Sequence, residues 1–234
     1  MNLVLLERDE LCRSRAVLRG RRRDHIAEVH RGEPGRVLRV GVVGGMIGTG
    51  TVVAMDASSV ELDVRLEENP PPPLPCTLVM ALPRPKVLRR MLQAAAAFGI
   101  KNIVLFGAWR VEKSYWQTPV LQAEQIRREL LCGLEQARDT ILPVVTHKRL
   151  FRPFVEDELA AVAAGSRCLV AHPAAAAECP RAVSSAVTLV IGPEGGFVEF
   201  ELELLSAAGA ELVSLGPRPL RVEQALAALV GRLF

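Results

Sequence analysis

The chain reads as an α/β protein in two parts, a small β-rich domain followed by a larger domain built on a parallel sheet. Three observations predict it. Short β-branched runs separated by glycine turns fill the first part. Strands and helices alternate from Thr77 to the end. Between the two stand four consecutive prolines, Pro70, Pro71, Pro72 and Pro73. Such a run fits neither a helix interior nor a central strand and forms a stiff spacer. The expected domains are therefore 1–72 and 73–234.

Composition sets the outer limits. The 234 residues are 50% hydrophobic, enough for real cores, and no apolar run approaches the roughly 18 residues of a membrane span. No membrane partner is expected. The formal net charge of +3 excludes a polycation. Cys12, Cys76, Cys132, Cys168 and Cys179 are scattered and form no C-x-x-C. This fits free thiols in a reducing cytoplasm and argues against a metal site.

In chain order, the opening MNLVLLERDELCRSR carries charges straight after a short apolar piece. That is not the order of a signal peptide, and a cytoplasmic location is expected. Arg13, Arg15, Arg19, Arg21, Arg22 and Arg23 then fall within eleven residues free of acid. Such a run is either a solvated loop or helix face, or a patch that contacts phosphate, which arginine grips bidentately without losing its proton. Residues 24–31 suit a short helix, broken by Gly32-Glu33-Pro34-Gly35. Residues 36–43, 47–55 and 60–66 read as strands. In the last, Val60, Leu62, Val64 and Leu66 alternate with Glu61, Asp63 and Arg65, giving one wet face. Several short strands with glycine turns suggest a small barrel.

Beyond the prolines, 77–82 is an apolar strand. Residues 83–98 form a helix with Leu88, Met91, Leu92 and Ala95 inward and Gly99 as its cap. A strand at 102–106 and a long helix at 120–138 follow, then strands at 144–145 and 168–171 around a helix near 154–164. Residues 187–191 make a β-branched strand that stops at Gly192-Pro193. The next segment has Glu199, Glu201 and Glu203 early and Gly209 behind it, which suits a helix. A strand at 211–215 runs into Gly216-Pro217. Leu226, Leu229, Val230 and Leu233 then recur at helical spacing on one face. This alternation implies a parallel sheet covered on both faces. Ligands bind such sheets in the loops at the carboxyl ends of the strands. There Gly195 and Gly196 let backbone approach a ligand closely. GPEGG is neither a Walker loop, since no Lys-Ser or Lys-Thr follows, nor a dinucleotide fingerprint.

IGPEGGF followed by LGPRPLRVEQA resembles the small-subunit rRNA uridine-N3 methyltransferases of RsmE type, in the SPOUT superfamily. Element order agrees along most of the chain. The segment ALPRPKVLRRMLQAAAAFGIKNIVLF resembles the family's lysine-bearing helix, with Lys86, and Glu135-Gln136-Ala137-Arg138 resembles its E-Q-x-x-R. Val222 and Gln224 stand where the family pattern R-T-E-T-A has threonines, and Ala96-Ala97-Phe98-Gly99 where it has T-E-L-G. The resemblance implies a C-terminal trefoil-knotted α/β domain that binds S-adenosylmethionine and dimerises. It implies a PUA-like RNA-binding β-barrel in front. The partners are then ribosomal RNA or the small ribosomal subunit and a second copy of the chain.

By the same resemblance, three loops form the cofactor pocket. His172 and Pro173 come from one, Ile191, Gly192, Pro193, Glu194, Gly195 and Gly196 from another, and Leu215, Gly216, Leu220, Arg221 and Ala225 from the third. Ile191, Leu215 and Leu220 make an apolar slot for a ring, with backbone groups reading its edge. A sulfonium already has an excellent leaving group, so no metal is expected. Uridine N3 carries a proton. Transfer needs that proton removed, or the negative charge growing on the base oxygens stabilised. Arg218 and Arg221 suit the second task, and Glu223 either takes the proton or braces an arginine. Arg19, Arg21, Arg22, Arg23, Lys86 and Arg138 are the expected RNA contacts. Val222 and Gln224 leave open an RNA-binding relative with weak or lost transfer, or a methyltransferase for a different nucleotide.

Overall fold

The computed structural model describes residues 2–30 and 33–234. The chain divides into two compact units. The first runs up to Pro72 and also takes Leu130–Leu142, and the second comprises Pro73–Glu129 and Pro143–Phe234.

The first unit contains β1 (Val4–Leu6), β2 (Leu11–Cys12), β3 (Arg15–Arg19), α1 (Arg21–His30), β4 (Val37–Val42), β5 (Ile47–Met55) and β6 (Ser59–Glu68). Its sheet has the order β1-β4-β5-β6-β3-β2. The β1–β4 pairing is parallel and the others are antiparallel. Alternation sets the inner face: Ala16 and Leu18 of β3, Val40 of β4, Val52 of β5, and Val60, Leu62 and Val64 of β6 are buried around Ile26 of α1. The basic run is therefore neither loop nor a single helix face. Arg15 and Arg19 flank the buried pair on an R-A-V-L-R strand, and Arg21, Arg22 and Arg23 open α1. The helix begins earlier than 24–31 because Gly20, at φ 57°, turns the chain and its carbonyl accepts the Asp24 amide at 3.0 Å. Arg31 and Gly32 lie outside the described residues.

Residues 130–142 belong to this unit for clear reasons. The Glu135 carbonyl accepts the amides of Asn2 and Leu3 at 3.1 and 3.0 Å, and the Thr140 carbonyl accepts that of Gly44 at 2.8 Å. Gly41 is a glycine because a β-carbon there would meet Thr140 Cγ2 at 2.6 Å.

The second unit contains β7 (Cys76–Ala81), α2 (Pro85–Ala97), β8 (Asn102–Phe106), α3 (Ala123–Ala137, continuing into the first unit), β9 (Val144–Lys148), α4 (Phe151–Pro153), α5 (Leu159–Val162), β10 (Arg167–Ala171), β11 (Val187–Ile191), α6 (Glu199–Ala207), β12 (Glu211–Val213) and α7 (Val222–Leu233). The sheet order is β12-β10-β11-β7-β8-β9, and every pairing is parallel. Such a sheet needs apolar residues on both faces. β11 meets that need, with all five residues buried.

Leu88, Met91, Leu92 and Ala95 of α2 are buried as the periodicity requires, with Pro85 in its first turn and Gly99 at φ 79° behind it. Burial of each of the larger side chains stabilises by about 1.5–3 kcal/mol. The helix expected at 120–138 starts at Ala123, after a 3-10 turn at Pro119–Leu121, and it ends where Arg138 turns to φ 59°. The helix near 154–164 is not regular. Pro153 lacks an amide donor, and the turn Phe154–Glu158 that follows it is wound as a π-helix between α4 and α5.

Candidate active site

A cavity of about 860 Å³ opens at the carboxyl ends of the strands of the second unit. Its size suits a small-molecule ligand. Every residue expected from the three loops lines it: His172 and Pro173 after β10, Ile191 to Gly196 after β11, and Leu215, Gly216, Leu220, Arg221 and Ala225 after β12. Arg218 and Glu223 line it as well. Lys86 does not. It is exposed on α2, and the cations that reach the cavity from here are Arg84, at the N-cap of α2, and Arg90.

The loops are tied to one another. Ser214 is buried, and its hydroxyl donates to the Pro173 carbonyl at 3.2 Å while accepting the Gly216 amide at 3.0 Å. One small side chain thus joins the first loop to the third. The His172 amide donates to the Val213 carbonyl at 2.9 Å, so its backbone is committed to the sheet edge. Gly216, at φ 113°, has open space where a β-carbon would stand.

The GPEGG loop is held at several points. Glu194 Oε1 accepts the backbone amide of Arg84 at 3.0 Å. The Arg110 guanidinium donates to the Gly195 carbonyl, and a β-carbon at Gly195 would stand 3.0 Å from Arg110 Cδ. Behind the loop, a β-carbon on Gly192 would touch the Phe197 ring at 3.0 Å. Phe197 in turn stacks on Phe106 at 6.2 Å between centroids. The carboxylate of Glu201 is buried at 2% exposure. It accepts the Val198 amide at 3.0 Å and the Trp109 amide at 2.7 Å. It thereby caps α6 and fixes the loop after β8.

Glu223 pairs with Arg90 at 3.3 Å, joining α7 to α2. Val222 is buried, and Gln224 Oε1 accepts the Arg221 amide at 3.2 Å. The two residues that replace threonines thus have structural work, one in the core and one at the start of α7.

In the first unit, Arg21 pairs with the buried Glu135 carboxylate at 2.9 Å. Arg22 bonds to Glu10 and to the Leu5 carbonyl, and Arg23 to the Asp56 carbonyl at 2.7 Å. Arg19 is exposed.

Sequence reasoning missed Arg84, Arg90, Arg110 and Ser214, and it read Glu201 only as an acid in a first turn. Glu201 carried a usable signal, being an acid at the third helical position, where a carboxylate can accept the N-cap amide. The others become visible only once distant loops meet.

An all-parallel sheet with a glycine-loop cavity and surrounding arginines defines a class, and the RNA methyltransferase domain family matches residues 70–233. The chain is 31% identical to the ribosomal RNA small subunit methyltransferase E of Treponema pallidum, the match covering 97% of this chain and 88% of that one. The enzyme of the same name from Mycobacterium bovis is 29% identical, with 92% and 84% covered. In fold, the chain is similar to a ribosomal RNA small subunit methyltransferase E from Neisseria gonorrhoeae bound to S-adenosyl methionine. That likeness has a TM-score of 0.76 at 20% identity and covers 98% and 96%. The chain belongs to the ribosomal RNA small subunit methyltransferase E family. The resemblance carried by IGPEGGF and LGPRPLR is borne out.

Proposed function

We propose that this chain transfers a methyl group from S-adenosylmethionine to N3 of a uridine in small-subunit ribosomal RNA. The observation that carries the reading is the convergence of the three loops, with GPEGG and LGPRPLR, on one cavity ringed by arginines. The residues fit the cofactor. Ile191, Leu215 and Leu220 give apolar wall, and Gly216 leaves backbone open to close approach. When bound, the cofactor supplies an activated methyl on a sulfonium.

The chain's own task is the nucleophile. Arg221 and Arg218, which line the cavity, offset negative charge growing on the uridine oxygens as N3 loses its proton. Glu223 braces Arg90 through their 3.3 Å pair. In this reading Glu223 positions the Arg90 cation rather than taking the proton. The proton leaves to solvent. We further propose that the loops after β11 and β12 are threaded as a trefoil knot, that the protein is a cytoplasmic homodimer, and that the N-terminal part is a PUA-like RNA-binding domain. Arg19 and Arg138 are then its phosphate contacts, with the exposed side of Arg21 beside them. Calorimetric titration with S-adenosylmethionine, followed by mass mapping of methylated small-subunit rRNA, tests the reading. Cofactor binding without a methylated uridine would point instead to an RNA-binding relative.

A further inference from the structure

The protein is poor in polar aromatics, with Trp 2 and Tyr 1 in the whole chain, and all three stand between positions 109 and 116. This stretch is the loop after β8, at the carboxyl end of the parallel sheet, where the cavity also opens. Its start is rigid. The Gly107 amide donates to the Lys148 carbonyl at 2.9 Å, the Trp109 amide is held by the buried Glu201 carboxylate at 2.7 Å, and Arg110 is latched to the Gly195 carbonyl on the cavity wall. Two backbone amides and one side chain in four residues thus hold the backbone that carries Trp109. Trp109 stands 81% exposed, next in sequence to Arg110, which lines the cavity together with Arg84 and Arg90. Farther along, Trp116 already has a cation over its ring, Arg149 at 5.7 Å.

An exposed indole on a held backbone, with arginines on neighbouring loops, suits an unpaired base: the ring stacks on the base and the cations take the flanking phosphates. We propose that Trp109 is a stacking platform for an unpaired nucleobase of the substrate RNA, adjacent to the nucleotide that enters the cavity. This rests on the function proposed above and assigns that site a recognition element. A target base drawn out of its stack loses a neighbour, and the indole supplies a surface that keeps the adjacent base in order.

The experiment uses the full-length protein carrying Trp116→Phe, so that Trp109 is the sole tryptophan. Titration with an unpaired segment of small-subunit rRNA should quench its emission. In the parent protein, Trp109→Ala should weaken RNA affinity about tenfold, in line with the loss of one base–aromatic stack, while Trp109→Phe keeps most of it. Affinity for S-adenosylmethionine and the sedimentation coefficient should both stay unchanged. Emission indifferent to saturating RNA, with less than a twofold change on Trp109→Ala, would overturn the proposal. A loss of dimer in Trp109→Ala would also overturn it, because the indole would then belong to a contact between copies. Failure of the parent protein to methylate rRNA would refute the function proposed above, while the quenching titration would still report on the platform.

Discussion

Gly195 gives the sharpest test of the cofactor loop. Its φ lies outside the left-handed region, unlike that of Gly196 at 72°, so its backbone tolerates a side chain and the test is one of space alone. A β-carbon there would lie 3.0 Å from Arg110 Cδ and 3.4 Å from Arg110 Cβ. Valine adds two methyl groups to that point, and the Arg110 side chain has to leave. Its bond to the Gly195 carbonyl goes with it, a charge-assisted contact of about 1.5–3 kcal/mol. With the methyl groups also intruding on the cavity, Gly195→Val should lower S-adenosylmethionine affinity at least about a hundredfold, or roughly 2.7 kcal/mol. Gly195 is exposed, so the melting temperature should fall by no more than about 2 °C. Isothermal titration calorimetry reads the affinity directly. Arg110→Ala alone removes the same bond without filling space, so it should cost less affinity than Gly195→Val. Undiminished affinity in Gly195→Val would refute the assignment of this loop, and Arg110→Ala with parent-like affinity would refute the part given to Arg110.

Four further expectations concern other residues. Arg221→Met, measured in single turnover at saturating RNA and cofactor, should slow methyl transfer at least about tenfold, roughly 1.4 kcal/mol in barrier, with both affinities largely kept; parent-like rates would remove Arg221 from the mechanism. Arg19→Ala should reduce the slope of log affinity for RNA against log salt by about 1 without loss of stability. Arg21→Ala should instead destabilise the fold by about 1–3 kcal/mol, the full cost of stranding a buried carboxylate being discounted because Arg21 is half exposed; denaturant melts separate the two. Burial pushes the Cys76 thiol up to about 12 and that of Cys168 up to about 11, so both remain protonated and inert to a thiol reagent at pH 8. The exposed Cys12 should react at once, and fast labelling of Cys76 in the native protein would contradict its placement.

What the sequence made legible follows from how local each signal was. Leu88, Met91, Leu92 and Ala95 encode the inner face of α2 within about two turns, and Val187 to Ile191 encode a doubly covered strand without outside help. The loops after β10, β11 and β12 were readable because glycine and proline marked them. Arg15 to Arg23 misled, because a high density of charge hid a two-residue apolar alternation, Ala16 and Leu18, and partners such as Glu10, Glu135 and Asp56 that no local window contains. The same holds for the cavity. Arg84, Arg90 and Arg110 reach it from elements distant in sequence, and only the sheet order brings them beside Gly195 and Glu223.

The division of the chain has a consequence for its synthesis. Leu130–Leu142 completes the first unit, yet a ribosome makes it only after β7, α2 and β8. Until then the Asn2, Leu3 and Gly44 amides have none of their native acceptors, and Arg21 has no buried carboxylate to meet. The nascent N-terminal segment therefore lacks these native partners until part of the second unit has been made. A polypeptide released at the proline run would carry the strands of the first sheet but not the piece that closes it.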